Sequence, residues 1–130
     1  MIDQTDTFKI LTYKPQGEEY GFELFSARFG EDWDLELKER LFIYYSDFGY
    51  LIDSVVSVYP LTDPDTNDVM ESFDVCGMNW IHNKAWDRII SDLETRVYED
   101  VELKKFIDSF CIWIAGQQEC SDEIMVNGTM

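Results

Sequence analysis

Apolar and polar positions change period several times along this chain. Over residues 8–13, Phe8, Ile10 and Thr12 alternate with Lys9, Leu11 and Tyr13. A period of two predicts a strand. Pro15-Gln16-Gly17 follows as a turn, Pro setting the entry dihedral and Gly relaxing the exit. Tyr20, Phe22 and Leu24 alternate again, so an N-terminal β-hairpin is expected.

A helical stripe then opens at Gly30 or Asp32, carrying Trp33, Leu37, Leu41, Tyr44 or Tyr45, and Phe48. Asp34–Lys38 and Glu36–Arg40 are acid-first i,i+4 pairs, each worth a few tenths of a kcal/mol. Gly49 is a natural stop. Residues 50–59 are rich in Val and Ile and read as a strand ended by Pro60. Residues 60–68 have loop composition, and 69–76 suit another strand. Asn83 can cap a second helix with Trp86, Ile89, Ile90, Leu93 and Val97 inside. Glu99 or Asp100 can cap a third, with Leu103, Phe106, Ile107, Phe110 and Ile114 inside and Gly116 at its end. Residues 123–126 form an edge strand or a loose tail. The expected fold is α+β: one compact domain over residues 1–130, an antiparallel sheet of the N-terminal hairpin plus central strands, packed against about three helices.

Charge changes the picture. The chain holds 27 acids against 10 bases, a formal net charge of −17. No Lys or Arg occurs over residues 41–83, yet Asp47, Asp53, Asp63, Asp65, Asp68, Glu71 and Asp74 all fall there. A one-sign field costs folding stability but draws a basic partner in quickly. A sequence pI near 4.1 opposes direct contact with DNA, RNA or an anionic membrane, which needs clustered bases. Aromatic content of 15% separates the chain from disordered acidic tails. The start, Met1-Ile2-Asp3-Gln4-Thr5-Asp6, has neither basic residues nor an apolar stretch, so a cytoplasmic protein is expected. Three cysteines, Cys76, Cys111 and Cys120, without a CxxC pair fit free thiols in a reducing compartment.

Candidate chemistry is sparse. His82 is the only histidine, which rules out a two-histidine metal site within one chain. Cys76 lies six positions away, but nothing supplies the third group of a nucleophilic triad; a half-buried His beside a helix start explains it better. Asp63-Pro64-Asp65-Thr66-Asn67-Asp68 places oxygen ligands at offsets 1, 3 and 5 of a calcium loop, with Glu71 and Asp74 further on. Offset 6 is Asp68 where Gly is needed, and offset 12 is the short Asp74. Gly17, Gly21 and Gly30 do not have phosphate-loop spacing. The expectation is therefore a non-enzymatic binding protein with no metal and no cofactor. Its contact surface is read as Asp47, Asp53, Tyr59, Asp63, Asp65, Asp68, Glu71 and Asp74, Tyr being a frequent interface anchor.

Phe73-Asp74-Val75-Cys76-Gly77-Met78-Asn79-Trp80-Ile81, followed by Trp86 and Ile89-Ile90, resembles a passage in small acidic immunity proteins of bacterial contact-dependent growth inhibition systems. Tyr13-Lys14-Pro15-Gln16-Gly17-Glu18-Glu19 and Phe106-Ile107-Asp108-Ser109-Phe110 are compatible with the same kind of protein. The resemblance implies a cytosolic protein that binds and blocks the toxic C-terminal domain of an effector, often a ribonuclease. It supplies no catalytic residues. Three other readings use the same charge: a phage or plasmid mimic of nucleic acid that blocks a restriction or CRISPR enzyme, a calcium module built on the Asp63 loop, and an acidic domain of a metabolic complex.

Overall fold

The computed structural model describes residues 8–14, 17, 19–27, 39–64 and 66–129. In chain order these form β1 (Phe8–Ile10), β2 (Gly21–Ala27), β3 (Arg40–Tyr44), α1 (Tyr45–Val56), β4 (Leu61–Thr62), β5 (Val69–Met70), β6 (Met78–His82), α2 (Asn83–Thr95), α3 (Val101–Gln118) and β7 (Glu123–Gly128). Five strands make one sheet in the order β1-β3-β2-β7-β6; β4 and β5 make a separate two-stranded arm. Among the described strands only the β1–β3 pair is parallel. The expected α+β domain, a mostly antiparallel sheet with three helices, is what forms.

Alternation decides which face of each strand is buried. Phe22, Leu24, Leu41, Ile43, Ile81, Ile124 and Val126 face the helices. Phe48, Leu51 and Val55 of α1 meet them, with Trp86, Ile89 and Leu93 of α2 and Phe106, Phe110 and Ile114 of α3. Full burial of each large apolar side chain contributes about 1.5–3 kcal/mol. The Trp86 indole also donates to the Ile124 carbonyl at 3.1 Å, joining α2 to the sheet centre. On the opposite face Phe25, Ala27 and Met125 are buried, with Met78 and Trp80 packed against them.

Several expectations are corrected. β1 does not form a hairpin with β2; it runs parallel to β3, with Ile10 opposite Phe42. The Asp47 carboxylate takes the N–H groups of Tyr13 and Lys14 at 2.7 Å each, tying the chain after β1 to α1 and away from β2. The expected helix from Gly30 or Asp32 to Gly49 falls partly on residues 28–38, outside the described residues. Its later part is strand β3, where Leu41 and Ile43 point inward and Phe42 and Tyr44 outward. The expected strand over 50–59 is mostly helix α1, which runs through Gly49 because its apolar residues at 48, 51 and 55 have helical spacing.

The strand expected over 69–76 shrinks to β5, and β6 follows it. α2 starts at Asn83, but its cap is His82, whose Nδ1 accepts the Ala85 N–H at 3.3 Å. Val97 lies beyond α2 and is exposed. α3 has its expected Asp100 cap and extends past Gly116 to Gln117 and Gln118. The tail is neither edge nor loose: β7 sits between β2 and β6 with Ile124, Met125 and Val126 fully buried. Its last residue is Gly128, where the Val75 backbone fills the space a side chain would need.

Candidate functional site

The base-free stretch runs through β3, α1, the β4–β5 arm and β6. Leu61 roots the arm in the main core, helped by partly buried Met70. Leu61 pairs with Met70 and Thr62 with Val69, so Asp63 and Asp68 come opposite each other. The Asp63 N–H donates to the Asp68 carbonyl at 2.8 Å, and the Asn67 N–H to the Asp63 carbonyl at 2.8 Å. Asn67 takes the left-handed turn position, with φ 62°, a conformation Asn tolerates well. The Asp63 carboxylate accepts the Thr66 N–H, and the Thr66 hydroxyl accepts the Asp68 N–H. This is a strand-flanked hairpin tip, unlike the helix-flanked calcium loop weighed from sequence. Among the described residues, no three His, Cys, Asp or Glu side chains converge as metal ligands.

The return of the arm is held from inside. Phe73 packs on Phe22, Phe48 and Tyr59 at 5.8–6.1 Å between ring centres. Asn79, buried on β6, is the staple that sequence reasoning missed. Its Oδ1 accepts the Asp74 N–H at 2.7 Å, while its Nδ2 donates to the carbonyls of Asp74 at 2.7 Å and Val126 at 3.1 Å. The available signal was a polar residue at an inward position of an alternating strand. The Asp74 carboxylate accepts the Cys76 N–H at 2.9 Å and stays exposed.

The structure therefore sorts the expected contact residues. Asp53 on α1, Asp68, Glu71 and Asp74 are exposed, and Asp63 is half-buried. Asp63 and Asp68 are brought together; Glu71 and Asp74 follow on the return. Asp47 is removed from the set: it is fully buried and committed to the backbone of Tyr13 and Lys14. Tyr59 is half-buried in the core, its hydroxyl directed at Asn79 Oδ1 at 3.4 Å, and burial raises its phenol pKa. Asp65 lies outside the described residues. Tyr45 and Tyr50 are the more exposed tyrosines of the stretch.

His82 stands where the acidic surface meets α2. Burial lowers its pKa, with Arg88 and Lys84 adding to that effect and Asp63 opposing it. Its Nδ1 is occupied as the helix cap, and among the described residues no hydrogen bond joins it to Cys76. All three cysteines are free, Cys76 and Cys120 exposed and Cys111 buried.

No family model, no curated protein and no solved structure matches this chain. Among the described residues no helix is long and apolar enough to cross a membrane.

Proposed function

We propose that this chain is a cytoplasmic immunity protein. It binds the C-terminal toxin domain of a contact-dependent growth inhibition effector, a nuclease, and covers its basic active-site face. One observation carries the reading: Asp53, Asp63, Asp68, Glu71 and Asp74 are exposed or half-exposed on a stretch without Lys or Arg. A nuclease is basic where it grips phosphates. A surface of one sign matches that field, raising association rate and specificity. Blocking requires no chemistry from this chain, only burial of an interface of about 1,600 Å². The arm suits the task because its root is apolar and fixed while its tip is short and charged.

The test is co-expression with the product of the adjacent upstream reading frame, scored by survival and co-elution. A toxic product made harmless and held in a complex supports the reading. A harmless product that forms no complex overturns it and favours the nucleic-acid mimic, which protection of phage DNA from restriction would then test.

A further inference from the structure

A second surface lies away from the acidic arm, where β1 meets α3. Among the described strands β1 is at the edge of the sheet, bonded on one side to β3. Leu11 donates its N–H to the Phe42 carbonyl at 2.9 Å. Peptide groups alternate sides along a strand, so the N–H and C=O of Ile10 point away from β3. Among the described residues no strand pairs with them. An edge of this kind is a template for another extended chain.

Beside the edge is an open cavity of about 510 Å³ with Leu11, Leu41 and Trp113 in its lining. Two large apolar side chains on its rim remain exposed, Ile10 at 53% and Ile112 at 72%. Glu39 stands in the same wall. Its carboxylate accepts the Trp113 indole N–H at 3.2 Å and the Gln117 amide at 3.1 Å, two neutral donors that fix its direction without discharging it. Lys9 reaches it at 3.3 Å, but that pair is largely exposed. An exposed ion pair contributes little and is readily exchanged for another cation.

We propose that this edge and groove dock an extended segment of a partner protein in which Lys or Arg alternates with apolar residues. The segment adds to β1 through the Ile10 peptide groups, sets its apolar side chains beside Ile10 on the outer face of the sheet, and places its cation on Glu39 on the helix side. Charge complementarity selects the occupant: the groove offers an oriented carboxylate on a chain of net charge −17. The site shares no residue with the acidic arm and does not depend on the proposed immunity role.

The test uses a fluorescein-labelled hexapeptide alternating Lys and Val, read by anisotropy on the full chain at roughly 0.15 M salt. Peptides alternating Lys with Ser and Glu with Val are the controls. Ile10→Pro removes an N–H that β3 does not use, together with the exposed Ile10 side chain, so the sheet survives while both contacts to the segment are lost. It is expected to weaken the Lys–Val peptide about tenfold, and Glu39→Gln about fivefold, each within a far-UV spectrum matching the parent. Asp63→Asn with Asp68→Asn is expected to leave this binding within about twofold. Should Ile10→Pro fail to fold, Glu39→Gln and the Trp113 indole NMR shift on peptide addition carry the test. No saturable binding up to about 1 mM overturns the proposal. So does equal affinity for the Lys–Ser peptide, or binding that neither variant weakens.

Discussion

Asp63 and Asp68 stand opposite one another at the tip of the β4–β5 arm, the Asp63 N–H donating to the Asp68 carbonyl at 2.8 Å. The register of a short hairpin thus brings two carboxylates together, and Leu61 holds the arm against the core. Asp68 is exposed and Asp63 half-exposed, and Coulomb repulsion is modest where water reaches the charges, so the arm tolerates it.

Neutralising the pair keeps the turn, because Asn can still accept the Thr66 N–H. Asp63→Asn with Asp68→Asn is expected to slow association with a basic partner by about tenfold at low salt, the gap closing as salt rises. The melting temperature stays within about 2 °C. Stopped-flow association across a salt series checks this; an unchanged rate removes the arm from the contact surface.

Asp47 belongs to the fold, whatever its charge suggests. Replacing it with Ala leaves the Tyr13 and Lys14 amides without an acceptor, at about 1–3 kcal/mol each. Urea unfolding of Asp47→Ala is expected to show a loss of about 3 kcal/mol. A loss under about 1 kcal/mol contradicts the assignment.

His82 gives stability a pH dependence of definite sign. Its folded-state pKa lies below the ordinary 6.5, chiefly through burial. As pH falls the unfolded chain takes the proton first, and a protonated Nδ1 cannot accept the Ala85 N–H. The contribution is complete above about pH 6.5 and declines as pH drops toward the folded-state value. His82→Asn keeps a capping side chain without titrating. The parent is expected to lose stability relative to this variant between about pH 7 and pH 5. A pH-independent difference contradicts it.

α2 and α3 were legible because Trp86, Ile89 and Leu93, and Phe106, Phe110 and Ile114, repeat at helical spacing behind a cap. The Asn83 and His82 assignments differ by a single residue. β3 was hidden because residues 41–44 are apolar on both faces, which erases the alternation and lets Leu41 and Phe48 pass as one helical stripe. α1 was hidden by its Val and Ile content, which packing against Phe22 and Ile43 overrides. β7 was underrated because a short apolar run says nothing of its long-range partners, Phe22 opposite Gly128 among them. For the site, the base-free stretch was visible in the sequence. That Asp47 turns inward, and that Asn79 braces the arm, depend on contacts distant in the chain.

Thiol chemistry offers a separate check on the core. Burial pushes the Cys111 thiol up to about 12, while Cys76 and Cys120 are exposed. An aromatic disulfide reagent near pH 8 is expected to label two thiols in the native chain and the third only on unfolding. Rapid labelling of all three contradicts the packing of α3.

The central claim is that an acidic surface stops a basic enzyme. It is tested most directly by purifying the product of the adjacent upstream reading frame, the proposed toxin, and titrating its nucleic-acid cleavage with this chain. The account predicts that cleavage ends near one equivalent, and that Asp63→Lys with Asp68→Lys and Glu71→Lys requires an excess of about tenfold or more. Full cleavage in the presence of excess unaltered chain contradicts it.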